Sequence, residues 1–194
     1  MNPRLQEQLK FIYEIDRMKH IVRRTRLFDD SRAENDAEHS WHLAMMASVL
    51  HEHANEPVDL CRVIRMLLIH DLVEIYAGDY IVYTEKQEEK ARKEHEGARR
   101  IFGLLPEDQC VEFMDLWLEF EARQTPESRF ANAVDRLEPV MQNYYSAQPT
   151  WKTYQISYDK VVDTNKRIRD GSEQLWDYAK TIIDEGFQKL DRTE

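Results

Sequence analysis

Long apolar runs are missing from this chain of 194 residues, and cysteine, glycine and proline are scarce. The most concentrated apolar stretch, Met66-Leu67-Leu68-Ile69, stops at His70-Asp71. That is far short of the roughly 18 residues a membrane span needs, so no membrane partner is expected. The two cysteines, Cys61 and Cys110, form no paired motif. Their spacing excludes a disulfide framework and a sulfur-rich zinc site, and it implies reduced thiols in a cytoplasmic setting. Five glycines, six prolines and no low-complexity tract exclude fibrous and extensively disordered architectures. The first residues, Met1-Asn2-Pro3-Arg4-Leu5-Gln6-Glu7, hold no apolar core, so no secretory leader is expected. Basic residues are outnumbered 27 to 37, for a net charge of −10 with His neutral. Such a chain repels a phosphate backbone, which excludes long nucleic acids as partners. Small phosphorylated molecules remain open, because groups local to a pocket govern their binding.

What is present is helical patterning. The length and a hydrophobic content of 42% suit one domain with one core. We expect a single domain over 1–194, with its core at about 10–145 and C-terminal helices at about 155–190. Leu5, Leu9, Ile12, Ile15, Met18 and Val22 form a stripe that predicts a helix over 3–24. Asn35 and Glu38 have capping-box spacing for a second helix reaching Ala54. A third begins at Asp59 and runs past His70-Asp71, and Gly78 with Tyr80-Ile81-Val82-Tyr83 marks a loop. Lys86–Leu105 reads as a charged helix. Pro106 and Pro126 suit the first position of helices over 106–123 and 126–145. Further helices are predicted near 157–168 and, with Ser172 as cap, over 172–190. The expectation is an all-α bundle of about eight helices, without significant sheet, and with any metal site in its core.

Three segments carry chemistry: Glu38-His39-Ser40, His70-Asp71 and Asp135. Together they offer two imidazoles and two carboxylates from three predicted helices, a mixed N/O set that suits a six-coordinate divalent cation. Each residue also has an ordinary reading, as a cap, a core histidine or a solvated acid. Against those readings, His70-Asp71 ends an apolar run and Asp135 interrupts Ala131, Ala133 and Val134. Carboxylates buried there need partners. Glu74, four residues after His70 and three after Asp71, shares their helix face.

The strings Glu-Asn-Asp-Ala-Glu-His-Ser-Trp-His-Leu-Ala (34–44) and Leu-Leu-Ile-His-Asp-Leu-Val-Glu-Ile-Tyr-Ala-Gly-Asp (67–79) go further. With Ile-Phe-Gly-Leu-Leu-Pro (101–106) and Arg-Phe-Ala-Asn-Ala-Val-Asp-Arg-Leu-Glu (129–138), they resemble the HD-domain metal-dependent phosphohydrolases. The resemblance is closest to the small 5′-deoxynucleotidase-like branch and runs from about residue 10 to 190. It implies one divalent metal ion per chain (Co, Mn, Fe, Zn or Mg) held by His39, His70, Asp71 and Asp135. It also implies Glu74 and Asp79 as catalytic acids, Asp79 and Tyr80 beside the substrate, and Arg24 on its phosphate. Lys90 and Glu94 match a recurring pair. His42 is expected to pack against or hydrogen-bond the ligands, and His95 to be a solvated surface side chain. This chain has Thr25-Arg26-Leu27 where relatives often carry a Trp near the phosphate arginine. Trp117, Trp151 and Trp176 are expected in the core or at a subunit contact.

The implied activity is release of phosphate from a small phosphomonoester, a (deoxy)nucleoside 5′-monophosphate, by a homodimer. Two alternatives stay open: a nucleoside triphosphate hydrolase releasing inorganic triphosphate, and a nucleotide-binding scaffold without turnover.

Overall fold

A computed structural model describes residues 2–78 and 87–191. The chain opens with α1 (Pro3–Ile15), started by Asn2, whose side chain accepts from the Arg4 N–H, and by Pro3 in the first turn. A 3₁₀ turn over Asp16–His20 follows. Then come β1 (Val22–Arg26) and β2 (Ala33–Asn35), which pair antiparallel. The helix predicted over 3–24 therefore ends early. Ile21 is extended at φ −85°, ψ 114°, and Val-Arg-Arg-Thr-Arg combines β-branched residues with like charges that would repel at i, i+3 on a helix. As a strand, the segment sends successive side chains to opposite faces.

Asn35 closes the hairpin and caps α2 (Asp36–Leu50). Its side chain accepts from the Glu38 N–H at 3.0 Å, and the Glu38 carboxylate accepts from the Asn35 N–H at 3.3 Å. The expected capping box is present. α3 (Leu60–Ile69) begins at the Asp59 cap, tightens into a 3₁₀ turn over His70–Val73 and continues as α4 (Glu74–Ala77). Gly78 ends it at φ 85°, a conformation a Cβ would strain. Asp79 and Tyr80 lie outside the described residues.

α5 (Gln87–Phe102) leads to α6 (Glu107–Ala122), which stops at Arg123 in the left-handed conformation. α7 (Pro126–Tyr145) starts from a Thr125–Ser128 capping box and is the central element. It packs against α2, α3, α6 and the C-terminal α10 (Ile168–Gly171) and α11 (Glu173–Asp191). α8 (Thr150–Thr153) and α9 (Tyr158–Asn165) lie between. Gly171 permits the close crossing of α10 on α7, since a Cβ there would run into the Arg129 carbonyl.

The core is continuous, with Leu43, Val63, Met66, Leu67, Ile101, Phe102, Phe130, Val134, Ile168 and Ile183 fully buried. The architecture is the expected all-α bundle, with one two-stranded hairpin added among the described residues. Two apolar stripes face outward: Leu5, Leu9 and Ile12 on α1, and Trp41, Met45 and Val49 on α2. No described helix is long and apolar enough to cross a membrane.

Candidate metal centre and its cavity

The capping box sets the phase of α2. It directs Glu38 outward onto the Arg32 guanidinium, at 2.7 and 2.8 Å, and turns His39 into the core, where it is fully buried. His70 sits where α3 tightens, and Asp71 follows it. Asp135 comes from the middle of α7. The residues expected as ligands thus arrive from three elements.

Their donor atoms converge. His39 Nε2 lies 3.1 Å from Asp135 Oδ1 and 3.8 Å from Asp71 Oδ2. His70 Nε2 lies 3.1 Å from Asp71 Oδ2 and 3.5 Å from Asp135 Oδ1. An octahedral ion with bonds near 2.0–2.1 Å holds neighbouring donors about 3 Å apart, so the spacing suits such a cation. The imidazole of His70 carries the fit test. Its Nδ1 faces the Leu67 carbonyl at 2.8 Å. With Nδ1–H donating there, loss of the ring's other proton leaves a lone pair on Nε2, which is buried, faces Asp71 and Asp135 and makes no well-aligned hydrogen bond among the described residues. A mixed N/O set with an orphaned, inward-facing imidazole nitrogen fits a divalent metal.

A second ring of acids surrounds the first. His39 Nδ1 lies 3.3 Å from Glu138 Oε2 and 3.5 Å from Glu34 Oε2, both buried. His42 Nδ1 reaches Glu138 Oε1 at 3.5 Å. Arg23 Nη1 bonds Asp71 at 2.8 Å and Asp36 at 3.2 Å, with Nε 3.8 Å from Glu34. Pro139 removes the N–H that would otherwise bond the Asp135 carbonyl within α7.

The electrostatics follow from this crowding. Burial alone would lower the His70 imidazole, but Asp71 and Asp135 override it and raise it to about 10. For His39, burial and the Arg23 charge act downward, yet Asp135, Glu138 and Glu34 carry it well above the ordinary value. Burial opposes ionisation of Asp71 and Asp135, and the adjacent imidazoles still hold both below the usual carboxylate range. Glu138 behaves likewise: despite burial, His39 and His42 bring it to about 2. The carboxylates hold positive charge in place, here as imidazole protons. A divalent cation displacing two such protons leaves the charge balance of the cluster unchanged.

The cluster forms one wall of a cavity of about 450 Å³. Glu74 lines it and is 8% exposed. Lys90 and Glu94 also line it, with Nζ 3.3 Å from the carboxylate. Burial acts to lower Lys90, but Glu94 and Glu74 raise it and keep it charged. Arg24 is exposed and lines the cavity, while Arg23 is the arginine turned into the carboxylates. Strand alternation decides between them, and a helix over 3–24 could not have shown it. Trp117 and Trp151 are buried in the core and line the same cavity. His95 is half-buried and edge-on to Trp117, with ring centroids 5.7 Å apart, rather than a solvated side chain.

The sequence reading missed Glu34, Asp36, Glu138 and the inward role of Arg23. For Glu138 a signal existed, since it lies one turn after Asp135 on the same face of α7. Glu34 had none beyond its place before the cap.

The family model described as HD domain matches residues 15–176. The human protein 5′-deoxynucleotidase HDDC2 is 30% identical over 136 residues, covering 69% of this chain and 65% of that protein. The match thus spans just under two-thirds of that relative's length. 5′-Deoxynucleotidase hdd1 of Schizosaccharomyces pombe is 25% identical over 161 residues, 75% of this chain and 79% of that one. The crystal structure of a predicted metal-dependent phosphohydrolase from Magnetospirillum magnetotacticum MS-1 aligns with a TM-score of 0.88 at 48% identity. That alignment covers 95% of this chain and 96% of the other. The cyanophage S-2L HD phosphohydrolase DatZ, bound to dA and one catalytic Zn²⁺, shares the fold at TM-score 0.58 and 22% identity, over 93% and 94% of the two chains. A match through the three segments that bring His39, His70-Asp71 and Asp135 together, on a bundle of this shape, means that the chain belongs to the HD-domain family.

Proposed function

We propose that this chain is a metal-dependent phosphohydrolase that releases orthophosphate from a (deoxy)nucleoside 5′-monophosphate. The observation that carries the reading is the convergence of His39, His70, Asp71 and Asp135, the last three on the wall of a cavity that also presents Glu74, Lys90 and Arg24. The names of the human and fission-yeast relatives support the substrate class.

In this reading His39, His70, Asp71 and Asp135 hold one divalent ion, which supplies Lewis-acid polarisation of a phosphoryl oxygen and makes water easier to deprotonate. Arg24 and Lys90 bind the phosphate oxygens and neutralise charge that grows in the transition state. Glu74 accepts the proton of the attacking water. The water oxygen bonds phosphorus, the bond from phosphorus to the nucleoside oxygen breaks, and that oxygen takes up a proton. By the family resemblance, Asp79 manages this second proton at the sugar, and Tyr80 contacts the nucleoside. Arg23 acts through Asp71, bonding the same Oδ2 that faces His39 and His70 and holding it in register.

We also assign the chain to a homodimer. The exposed stripes of α1 and α2 supply the apolar surface, whereas Trp151 and Trp176, expected in the core or at a subunit contact, are 2% and 5% exposed and lie in the core.

The test is orthophosphate release from a panel of ribo- and deoxynucleoside 5′-mono- and triphosphates. The protein is metal-stripped and reloaded separately with Co²⁺, Mn²⁺, Zn²⁺, Fe²⁺ and Mg²⁺. Metal-dependent release from monophosphates is the expected result. Inorganic triphosphate as product, or tight nucleotide binding with no turnover under any metal, overturns the reading.

A further inference from the structure

Arg4 is ion-paired with Asp108, Arg65 with Glu112 and Arg129 with Glu56 on the outer surface of this chain. Of the arginines that line the cavity, Arg23 is also ion-paired, whereas among the described residues Arg24, already given to the cleaved phosphate, and three others are not. Arg123, Arg136 and Arg167 come from the end of α6, from α7 and from the link between α9 and α10, and all line the cavity. Among the described residues none of the three has a carboxylate partner within 4.0 Å. Arg136 Nε is buried and without a hydrogen-bond partner among those residues. So is the Nε1–H of Trp151, which lines the same cavity. Arg123 ends α6 in the left-handed conformation at φ 53°, and its Nε–H donates to the Glu121 carbonyl at 3.4 Å.

These guanidiniums are also near one another. Burial lowers the Arg123 pKa, and the charges of Arg167 and Arg136 lower it further, with Glu121 and Asp170 opposing. Lys90, in contrast, responds to Glu94, Glu74 and Asp71. The cavity wall therefore presents Lys90 beside the cluster and the three arginines, with the Glu121 carboxyl on the same wall, its pKa raised by burial against the opposing charges of Arg123 and Lys90. Like charges gathered at a partly buried wall in a protein of net charge −10 are unfavourable until an anion arrives. Planar guanidiniums suit phosphate oxygens, which they bind in pairs.

We propose that Arg123, Arg136 and Arg167 form a second anion subsite, which binds a phosphate group of the substrate other than the one cleaved. The inference rests on the phosphohydrolase reading and extends its substrate beyond the 5′-monophosphate. The substrate then carries a second phosphate: in a 3′,5′-bisphosphate the bond from the 5′-phosphorus to the nucleoside oxygen breaks and orthophosphate leaves, and in a 5′-diphosphate the same bond breaks and pyrophosphate leaves.

The experiment uses the full-length chain and the variants Arg167→Gln and Arg123→Gln. Arg167 is exposed, so its replacement leaves the core untouched. Two quantities are read. The first is the ratio of kcat/KM for a deoxynucleoside 3′,5′-bisphosphate, and for a 5′-diphosphate, over kcat/KM for the 5′-monophosphate, in the metal-loaded enzyme. The second is orthophosphate affinity of the metal-free chain by calorimetry. Loss of one charge-assisted phosphate contact is expected to lower one of the two ratios about tenfold or more, through KM, and the substrate whose ratio falls identifies how the second phosphate is attached. Orthophosphate binding should weaken by about tenfold. Ratios and orthophosphate affinity within twofold of wild type in both variants overturn the subsite. An equal fall for all three substrates also overturns it, because the arginines then serve the cleaved phosphate. Absence of hydrolysis by any substrate, with orthophosphate binding still dependent on Arg167 and Arg123, overturns the phosphohydrolase reading and supports an anion site.

Discussion

Replacing Glu138 by Gln keeps the size of the side chain and removes one buried charge. Glu138 is fully buried, with one carboxylate oxygen 3.3 Å from His39 Nδ1 and the other 3.5 Å from His42 Nδ1. An ionised carboxylate can accept from both rings, whereas an amide must turn its NH₂ toward one of them. If His39 binds a cation through Nε2, its Nδ1–H needs an acceptor that fixes the ring and raises its basicity. Weakening such a support typically costs 10–100-fold in metal affinity, or about 1.4–2.7 kcal/mol. Glu34, 3.5 Å from the same Nδ1, is a substitute acceptor that places Glu138→Gln toward the lower end of that range. One N–H can serve only one strong acceptor, so Glu34→Gln with Glu138→Gln should cost more than the two single losses added. The assay is Co²⁺ or Zn²⁺ titration against a chromophoric chelator at pH 7.5, with circular dichroism to verify the helices. Affinity of Glu138→Gln within twofold of wild type, in a folded protein, would refute the assignment of Glu138 as the support of His39.

Glu74→Gln should retain one metal ion per chain and lose about 10²-fold or more in kcat for phosphate release; wild-type turnover at equal metal occupancy removes Glu74 from the proton path. Saturating the site at about 100 times its Kd adds about 2.7 kcal/mol, so chelation should lower Tm by roughly 5–10 °C, and a Tm indifferent to chelator contradicts metal binding by the native state. Metal affinity should rise with pH between 6 and 9: the His70 imidazole, raised to about 10 by Asp71 and Asp135 after burial is overcome, is protonated in that window and must give up its proton to ligate. Titrations that give one Kd at every pH in that range refute this proton exchange.

Much of the candidate site was legible because its signals are local. The Asn35–Glu38 box fixes the phase of α2 within one turn, and with it the inward direction of His39. His70, Asp71 and Glu74 fall within five residues at the end of an apolar run, and a buried charge there announces itself by cost alone. The helices of the bundle were readable for the same reason, since caps, prolines and 3.6-residue periodicity act over a few residues.

Other features needed the packed chain. Whether Arg23 or Arg24 faces the acids depended on Val22–Arg26 being a strand, and that strand exists because Ala33–Asn35 pairs with it. Glu34 and Glu138, 104 positions apart, flank one imidazole only because the hairpin and α7 meet at α2. Arg123, Arg136 and Arg167 are unremarkable along the sequence and become a cationic wall through the packing of α6, α7 and α10. The sequence by itself therefore determined the helices and the inward-facing donors, through interactions that reach one turn. The tertiary structure decided which distant charges stand within a few ångströms of each other, because Coulomb energy depends on separation in space and not on separation along the chain.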